Sequence, residues 1–317
     1  MKIVIYDPVG FAEPQIASIR DAAGDINVVV SSKEELATQL EQAEIFFGFH
    51  PPEVFQQASN LRWIQVTSAG LDQILVPELV QRDLLITNAS GVYAPQVAEQ
   101  AWCLTLAIAG RVPHYWEQQK QHNWQAVDRI DLDGSTVGVI GLGGIGRRYA
   151  QVAAAFGMRV LAVDLHQPPK PDSVAALWSI DEIDQLLEQS DFVLVSCPYT
   201  AETHHLINAD RFSHMKSNAV LVNIARGSIV DEKALIEALQ SGRITAAGID
   251  VCEQEPLPSE SNLWDVPNLV ISPHCAGLSP QRMQQMADFF IENLGRYVAG
   301  QPLMNLVDQQ LGYPVPG

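Results

Sequence analysis

Residues 136–140, Thr-Val-Gly-Val-Ile, run without a break into Gly141-Leu142-Gly143-Gly144-Ile145-Gly146, and a helical period continues from Ile145 to Phe156. An apolar strand, glycines spaced G-x-G-x-x-G and a helix leave little local freedom: the strand must turn tightly and feed a helix that packs back on it. The first glycine permits the turn, the second lets a ligand approach the backbone, and the third lets helix and strand come close. Such a unit belongs to a parallel sheet covered by helices on both faces.

The rest of the chain repeats that alternation. In the first ninety or so residues, strands are expected at Lys2–Asp7, Asn27–Val30, Ile45–Phe49, Leu61–Val66 and Leu84–Asn88. Between them lie helices at Glu13–Ala22 and after Ser32, whose capping box with Glu35 predicts a helix through Gln42, and a short helix opened by Pro51-Pro52. One long helix is expected from Gln96 to about Gln119. A second block then has strands at Thr136–Ile140, Met158–Asp164, Asp191–Ser196, Ala219–Ala225, Ala246–Val251 and Leu269–Ser272, with helices at Ile145–Phe156, Asp181–Gln189 and Asp231–Gln240. A last helix, Gln281–Ala299, has no second-block strand after it and is free to return to the first block. The fold class is α/β, with two domains, as a chain of 317 residues suggests.

Composition sets outer limits on function. Hydrophobic residues make up 47% and charged residues 18%, which excludes disorder. The formal net charge of −18 argues against nucleic acid or anionic membrane as a partner, because both are bound through Lys/Arg patches. No long apolar run suggests a membrane span, and MKIVIYDPVG begins as a strand rather than a secretory signal. Cys103, Cys197, Cys252 and Cys275 form no CxxC pair, so they read as buried thiols in a reducing cytoplasm. No His, Cys, Asp and Glu grouping has a metal-ligand spacing; the adjacent His204 and His205 do not readily share one ion, and the site is expected to be metal-free.

The glycine motif points to a dinucleotide, with the pyrophosphate facing the helix N-terminus. Asp164 ends the next strand, where a carboxylate accepts from a ribose hydroxyl; this favours NAD, because a 2′-phosphate would be repelled. Three later strands each end in a chemically useful side chain: Arg226 after Val220–Ala225, Glu255 in the acidic run Asp250–Glu255, and His274 after Leu269–Ser272. Taken singly, each reads as an ordinary surface residue. In an open parallel sheet, however, ligands bind beyond the carboxyl ends of strands. Behind a dinucleotide motif, the three make an anion clamp, a carboxylate and a general acid/base.

The ordered set resembles the D-isomer-specific 2-hydroxyacid dehydrogenase family over nearly the whole chain. It comprises Gly141–Gly146, Asn223-Ile-Ala-Arg226-Gly-Ser-Ile-Val-Asp231, Asp250 to Glu255-Pro256, and Ser272-Pro-His274-Cys-Ala-Gly277. Cys197-Pro198-Tyr199-Thr200-Ala-Glu-Thr203, Thr67-Ser68-Ala69-Gly70-Leu-Asp72 and Val97-Ala-Glu99 belong to the same set. The resemblance implies two doubly wound domains: a Rossmann cofactor domain at 99–281 and a smaller, flavodoxin-like substrate domain at 1–98 with 282–317. It implies a cleft that closes on ligand, and a homodimer built on the cofactor domains.

The resemblance also implies roles. Arg226 holds the carboxylate of a small 2-keto or 2-hydroxy acid and polarises its keto oxygen, His274 moves the proton, and Glu255 keeps that imidazole protonated. Amides of Ser68, Ala69 and Gly70 help to bind the carboxylate. Gly141, Gly143, Ile145, Gly146, Arg147, Asp164, Thr203, the carbonyl of Ala225, Asp250 and Gly277 line the NAD site, Asp250 near the nicotinamide carboxamide. The expected activity is interconversion of a 2-keto acid, such as glyoxylate or hydroxypyruvate, with its (R)-2-hydroxy acid. A dinucleotide-sensing corepressor or scaffold, or a formate- or phosphite-type dehydrogenase, are the alternatives on the same fold.

Overall fold

A computed structural model describes residues 1–314. The chain forms two compact units: Met1–Tyr93 with Ser279–Gly317, and Ala94–Leu278. The sequence expectation set the divisions at 98/99 and 281/282. The first division falls earlier because Ala94 opens a continuous helix that runs to Ala109.

In the first unit, β1 (Lys2–Tyr6), α1 (Glu13–Ala23), β2 (Asn27–Val30), α2 (Leu36–Leu40), β3 (Ile45–Gly48), β4 (Trp63–Val66), α3 (Pro77–Val80) and β5 (Leu85–Thr87) follow in turn. The strands form one sheet in the order β2-β1-β3-β4-β5, every pair parallel. This is the flavodoxin-like order. Period-two alternation sends Val4, Phe46, Ile64 and Ile86 into one core with Leu36, Leu40 and Leu79.

The opposite face is covered from the far end of the chain. Phe290, on the closing helix Arg282–Val298, stacks on Phe47 with centroids 4.1 Å apart and on Trp63 at 5.4 Å. Beneath them lies a wholly buried polar network. Trp63 Nε1 donates to Thr87 Oγ1 at 2.7 Å, Thr87 donates to Gln65 Oε1 at 2.7 Å, and Asn293 Nδ2 donates to the same oxygen at 3.1 Å. Asn293 Oδ1 also accepts from the Met304 amide at 2.8 Å. Each of these groups would cost about 1–3 kcal/mol if orphaned, so the network fixes where the closing helix sits on the sheet.

The second unit contains α4 (Ala94–Ala109), α5 (Val112–Lys120), β6 (Thr136–Ile140), α6 (Gly144–Ala155), β7 (Arg159–Val163), β8 (Ala176–Trp178), α7 (Ile183–Gln189), β9 (Phe192–Val195), α8 (Ala209–His214), β10 (Val220–Asn223), α9 (Glu232–Gln240), β11 (Ala246–Ile249) and β12 (Leu269–Ile271). Its parallel sheet runs β12-β11-β10-β9-β6-β7-β8. Alternate residues of the same strand serve opposite cores. Val193 and Val195 join Leu186, Phe212 and Leu235 of α7, α8 and α9; Phe192 and Leu194 join Trp102 of α4 and Tyr149 of α6. The chain leaves β6 toward β7 on one side and returns to β9 on the other, which creates a switch point where a dinucleotide binds in this class of sheet.

Three local expectations need correction. The single helix from Gln96 to Gln119 is two, α4 and α5, divided at Gly110-Arg111, where Arg111 is left-handed at φ 58° and Pro113 starts the new helix. The helix after Ser32 is only Leu36–Leu40, although Ser32 Oγ does accept from the Glu35 amide at 3.3 Å. A seventh strand, β8, was not foreseen: Ala-Leu-Trp is too short and too near Pro168, Pro169 and Pro171 to stand out.

Candidate active site

The glycine turn follows the pattern that its spacing demands. Gly141 has φ 91°, and a Cβ there would lie 2.7 Å from the Cys197 backbone; a Cβ on Gly146 would lie 2.2 Å from the Gly141 carbonyl oxygen. Strand and helix thus approach closer than any side chain permits. A Cβ at Gly143, the N-cap of α6, would meet no atom within 4 Å. Open space in front of a helix N-terminus suits a pyrophosphate.

Asp164 is tied to that turn. Its Oδ2 accepts from the Leu142 amide at 2.7 Å and its Oδ1 from the His166 amide at 2.9 Å. A carboxylate has about four lone-pair sites, so both oxygens retain capacity for ribose hydroxyls. Arg147 Nη2 donates to the Pro169 carbonyl at 2.8 Å, beyond Asp164. Ile145 is half-buried on the first turn of α6. Thr203 Oγ1 accepts from the Thr200 amide at 2.7 Å and donates to the Pro198 carbonyl at 2.9 Å, closing the turn after β9.

At the carboxyl ends of β10, β11 and β12 stand the three chemical groups. Arg226 follows β10, half-buried, its Nη1 donating to the Ala225 carbonyl at 2.8 Å. Asn223 shapes that corner: Oδ1 accepts from the Ala225 amide at 3.1 Å and Nδ2 donates to the Arg226 carbonyl at 3.0 Å. His274 Nδ1 and Glu255 Oε2 lie 2.5 Å apart, and Glu255 Oε1 accepts from the Cys252 amide at 3.0 Å. The pair is partly open to solvent, with side chains 46% and 35% exposed, as a proton donor to an incoming ligand must be. His274 has φ 48°, a left-handed backbone uncommon outside glycine, and here its surroundings hold it.

Asp250 does the enforcing. It is 1% exposed. Its Oδ1 accepts from Ser272 Oγ at 2.5 Å and the Cys275 amide at 3.1 Å, its Oδ2 from the Ala276 amide at 2.9 Å, and its carbonyl from the His274 amide at 2.7 Å. Gln100 on α4 adds a bond from Nε2 to Ser272 Oγ at 2.9 Å. Sequence reasoning put Asp250 at the cofactor; in the fold its carboxylate organises the histidine loop. Gln100 carried no signal beyond lying one residue past Val97-Ala-Glu99. Gly277, at the loop's end, has open space where a Cβ would stand.

Ser68, Ala69 and Gly70 follow β4 in the first unit. Ser68 Oγ donates to the Gly70 carbonyl at 2.7 Å, and Asn88 Nδ2 donates to the Ala69 carbonyl at 2.6 Å, so the loop is braced while Ala69 itself is exposed.

The chain is similar to known proteins over most of its length. The profile of the D-isomer specific 2-hydroxyacid dehydrogenase NAD binding domain matches residues 102–276. A glyoxylate reductase of Korarchaeum cryptofilum is 36% identical over 265 residues, 82% of this chain and 80% of that protein. A glyoxylate/hydroxypyruvate reductase B of Serratia proteamaculans is 37% identical over 289 residues, 88% of each chain. The crystal structure of a D-isomer specific 2-hydroxyacid dehydrogenase from Xanthobacter autotrophicus, in complex with NADPH and MES, superposes with a TM-score of 0.87 at 29% identity, covering 98% of this chain and 99% of that one.

The role of Asp250 is open to direct test. Asp250→Ala orphans the Cys275 and Ala276 amides and the Ser272 hydroxyl, at about 1–3 kcal/mol per buried group. The expected outcome is a lower unfolding midpoint together with faster proteolytic cleavage within 272–278. Unchanged stability and protection would show that the loop holds itself.

Proposed function

The chain belongs to the D-isomer-specific 2-hydroxyacid dehydrogenase family and is an oxidoreductase of 2-hydroxy acids using a nicotinamide dinucleotide; within that activity, we propose that it reduces glyoxylate or hydroxypyruvate, with NADH as the preferred donor. The observation that carries the catalytic assignment is the 2.5 Å contact between His274 and Glu255 at the edge of a dinucleotide-type sheet. Because Nδ1 faces the carboxylate, Nε2 is the nitrogen left to give or take a proton at the substrate oxygen. Arg226 supplies a planar, permanently charged fork for the substrate carboxylate. The amides of Ser68, Ala69 and Gly70 are proposed as further carboxylate donors. The bound nicotinamide supplies or accepts the hydride. The glyoxylate and hydroxypyruvate assignment is supported by the names of relatives at 36% and 37% identity.

A panel of small keto acids with NADH tests the activity, and two variants test the roles. His274→Ala is expected to cost about 10²–10⁴ in kcat, the usual loss for a general acid. Arg226→Lys keeps the charge but loses the fork; KM for the keto acid is expected to rise and kcat to fall, with little change in cofactor affinity. An Arg226→Lys enzyme with wild-type kcat/KM would sink the clamp assignment.

The preference for NADH rests on Asp164, whose carboxylate is anchored by the Leu142 and His166 amides where a ribose would lie. A 2′-phosphate there meets a fixed like charge. Arg147 is the nearby cation that opposes this, although its guanidinium already donates to Pro169. The related Xanthobacter enzyme is a complex with NADPH, so the two cofactors must be compared directly. The expected ratio of kcat/KM is at least ~10-fold in favour of NADH, or about 1.4 kcal/mol, and Asp164→Ser should narrow it. Equal values in the wild type would refute the reading.

We further propose a cytoplasmic homodimer. Leu106, Val112, Trp116 and Trp124 lie within one stretch of nineteen residues and are 40%, 54%, 59% and 99% exposed. That much apolar surface close together in the chain calls for a partner. Sedimentation at micromolar concentration should give twice the 34.8 kDa chain mass, and Trp116→Glu with Trp124→Glu should return it to one. A wild-type monomer would exclude the dimer.

A further inference from the structure

Three segments carrying proposed functional residues converge on one peptide unit, Cys252–Glu253. A Cβ on Gly227, the residue after Arg226, would lie 1.9 Å from the Cys252 carbonyl carbon and 2.3 Å from the Glu253 nitrogen. The Arg226 turn therefore lies flat against this peptide, at a distance only glycine allows. The Cys252 amide donates to Glu255 Oε1 at 3.0 Å. The Glu253 amide donates to Glu232 Oε1 at 2.6 Å, and Glu253 Oε1 accepts in return from the Glu232 amide at 3.1 Å. On the outer side, His205 Nε2 lies 3.0 Å from the same Glu253 oxygen, while the His205 amide donates to the Ser228 carbonyl at 2.8 Å.

From this arrangement we infer that Glu232, at the start of α9, is a positioning residue: by holding the Cys252–Glu253 peptide, it sets the Arg226 turn and the Glu255 carboxylate in register with each other. Glu232 is not needed to cap its helix. That is done by Asp231, whose side chain accepts from the Ala234 amide at 3.0 Å. It is also an expensive choice of residue. Burial pushes its carboxyl up, and Glu253 and Glu255 push it the same way, against the Glu253 amide and His205. A carboxylate kept where burial and two like charges disfavour it is typical of a functional neighbourhood rather than of a surface. What it does there is mechanical: a short bond to one amide, from a helix that packs Ala234, Leu235, Ala238 and Leu239 into the core, fixes a loop that otherwise carries polar side chains in solvent.

The kinetic arm of the test rests on the dehydrogenase reading; the spectroscopic arm does not. Glu232→Ala removes the acceptor, and Glu232→Gln keeps an amide oxygen in its place while removing the charge. For Glu232→Ala the expected result is a fall of at least ~10-fold in kcat/KM for the keto acid, with dissociation of NADH within ~2-fold of wild type. Glu232→Gln should recover most of the loss. Independently, the short Glu255–His274 contact is expected to give a far-downfield imidazole Nδ1 proton in the ¹H spectrum of the wild type, and this resonance should move upfield or broaden away in Glu232→Ala and return in Glu232→Gln. An Ala variant with unchanged kinetics and an unmoved resonance overturns the inference, as does a Gln variant as impaired as Ala, since the charge rather than the bond would then be what matters. If Glu232→Ala does not fold, Glu232→Asp, which keeps the charge but shortens the reach to the Glu253 amide, must show the displaced resonance, while Glu253→Ala, which leaves that amide in place, must not. If no keto acid is turned over by the wild type, the reading of the reaction fails, and the resonance alone decides the role of Glu232.

Discussion

A buried carboxylate with every contact accounted for is what the histidine loop hangs on. Asp250 leaves the end of β11 at 1% exposure, where an ionised group without partners would cost several kcal/mol. It receives a hydroxyl and two amides from the chain that continues past β12. Those donors are on Ser272, Cys275 and Ala276, so the two residues between the anchored positions, Pro273 and His274, project outward, and of the two only His274 carries a titratable side chain. The left-handed φ of 48° at His274 is the local cost of that geometry, on the order of 1–3 kcal/mol. Charge-assisted bonds to Asp250, each worth about 1.5–3 kcal/mol, are enough to offset it.

Most of the fold was legible because it depends on periodicity and on glycine. Phe192–Val195 is apolar at every position and Val220–Asn223 at all but its last, since both faces of the sheet are covered, and such runs stand out between helical periods. What could not be seen has specific causes. β8 is three half-buried residues at a sheet edge. The α4–α5 break needs one left-handed arginine, which no pattern announces. The closing helix was expected to be free to join the first block, but the reason it docks there is a set of contacts between residues more than two hundred apart, such as Asn293 with Gln65. Long-range polar pairing of that kind leaves no trace in a local window.

The candidate site was legible in its proposed reacting groups and opaque in its supports. Arg226, Glu255 and His274 could be found because each follows an apolar strand at its carboxyl end, which is the end that faces ligand in a parallel sheet. The meeting of Glu255 with His274 follows from their lying after adjacent strands, β11 and β12. By contrast, Glu232 reads from sequence as an ordinary acidic first-turn residue, and Gln100 as one polar position on an apolar helix. Their partners are a backbone amide and a serine hydroxyl, groups that every sequence offers in abundance. A bond to backbone has no partner that a residue pattern can identify.

These supports also bear on how so acidic a chain can take an anionic substrate. The formal charge of −18 is spread over the surface, and beyond about 8 Å it is screened at physiological ionic strength. Inside that distance the arithmetic is local. Opposite charges 4 Å apart are worth about 4 kcal/mol at an effective dielectric near 20, against about 1 kcal/mol in water. The carboxylates of the proposed catalytic pair and its neighbours do not present bare charge. Glu255 has a histidine and an amide, Glu253 a histidine and an amide, and Glu232 an amide. Each of the three carboxylates has at least one oxygen engaged by the chain, and on the proposed reading Arg226 is the charge that an arriving carboxylate meets at short range. In the proposed site, the same bonds that hold these loops therefore also offset negative charge that would otherwise repel the substrate, so that positioning and electrostatics there are one set of contacts.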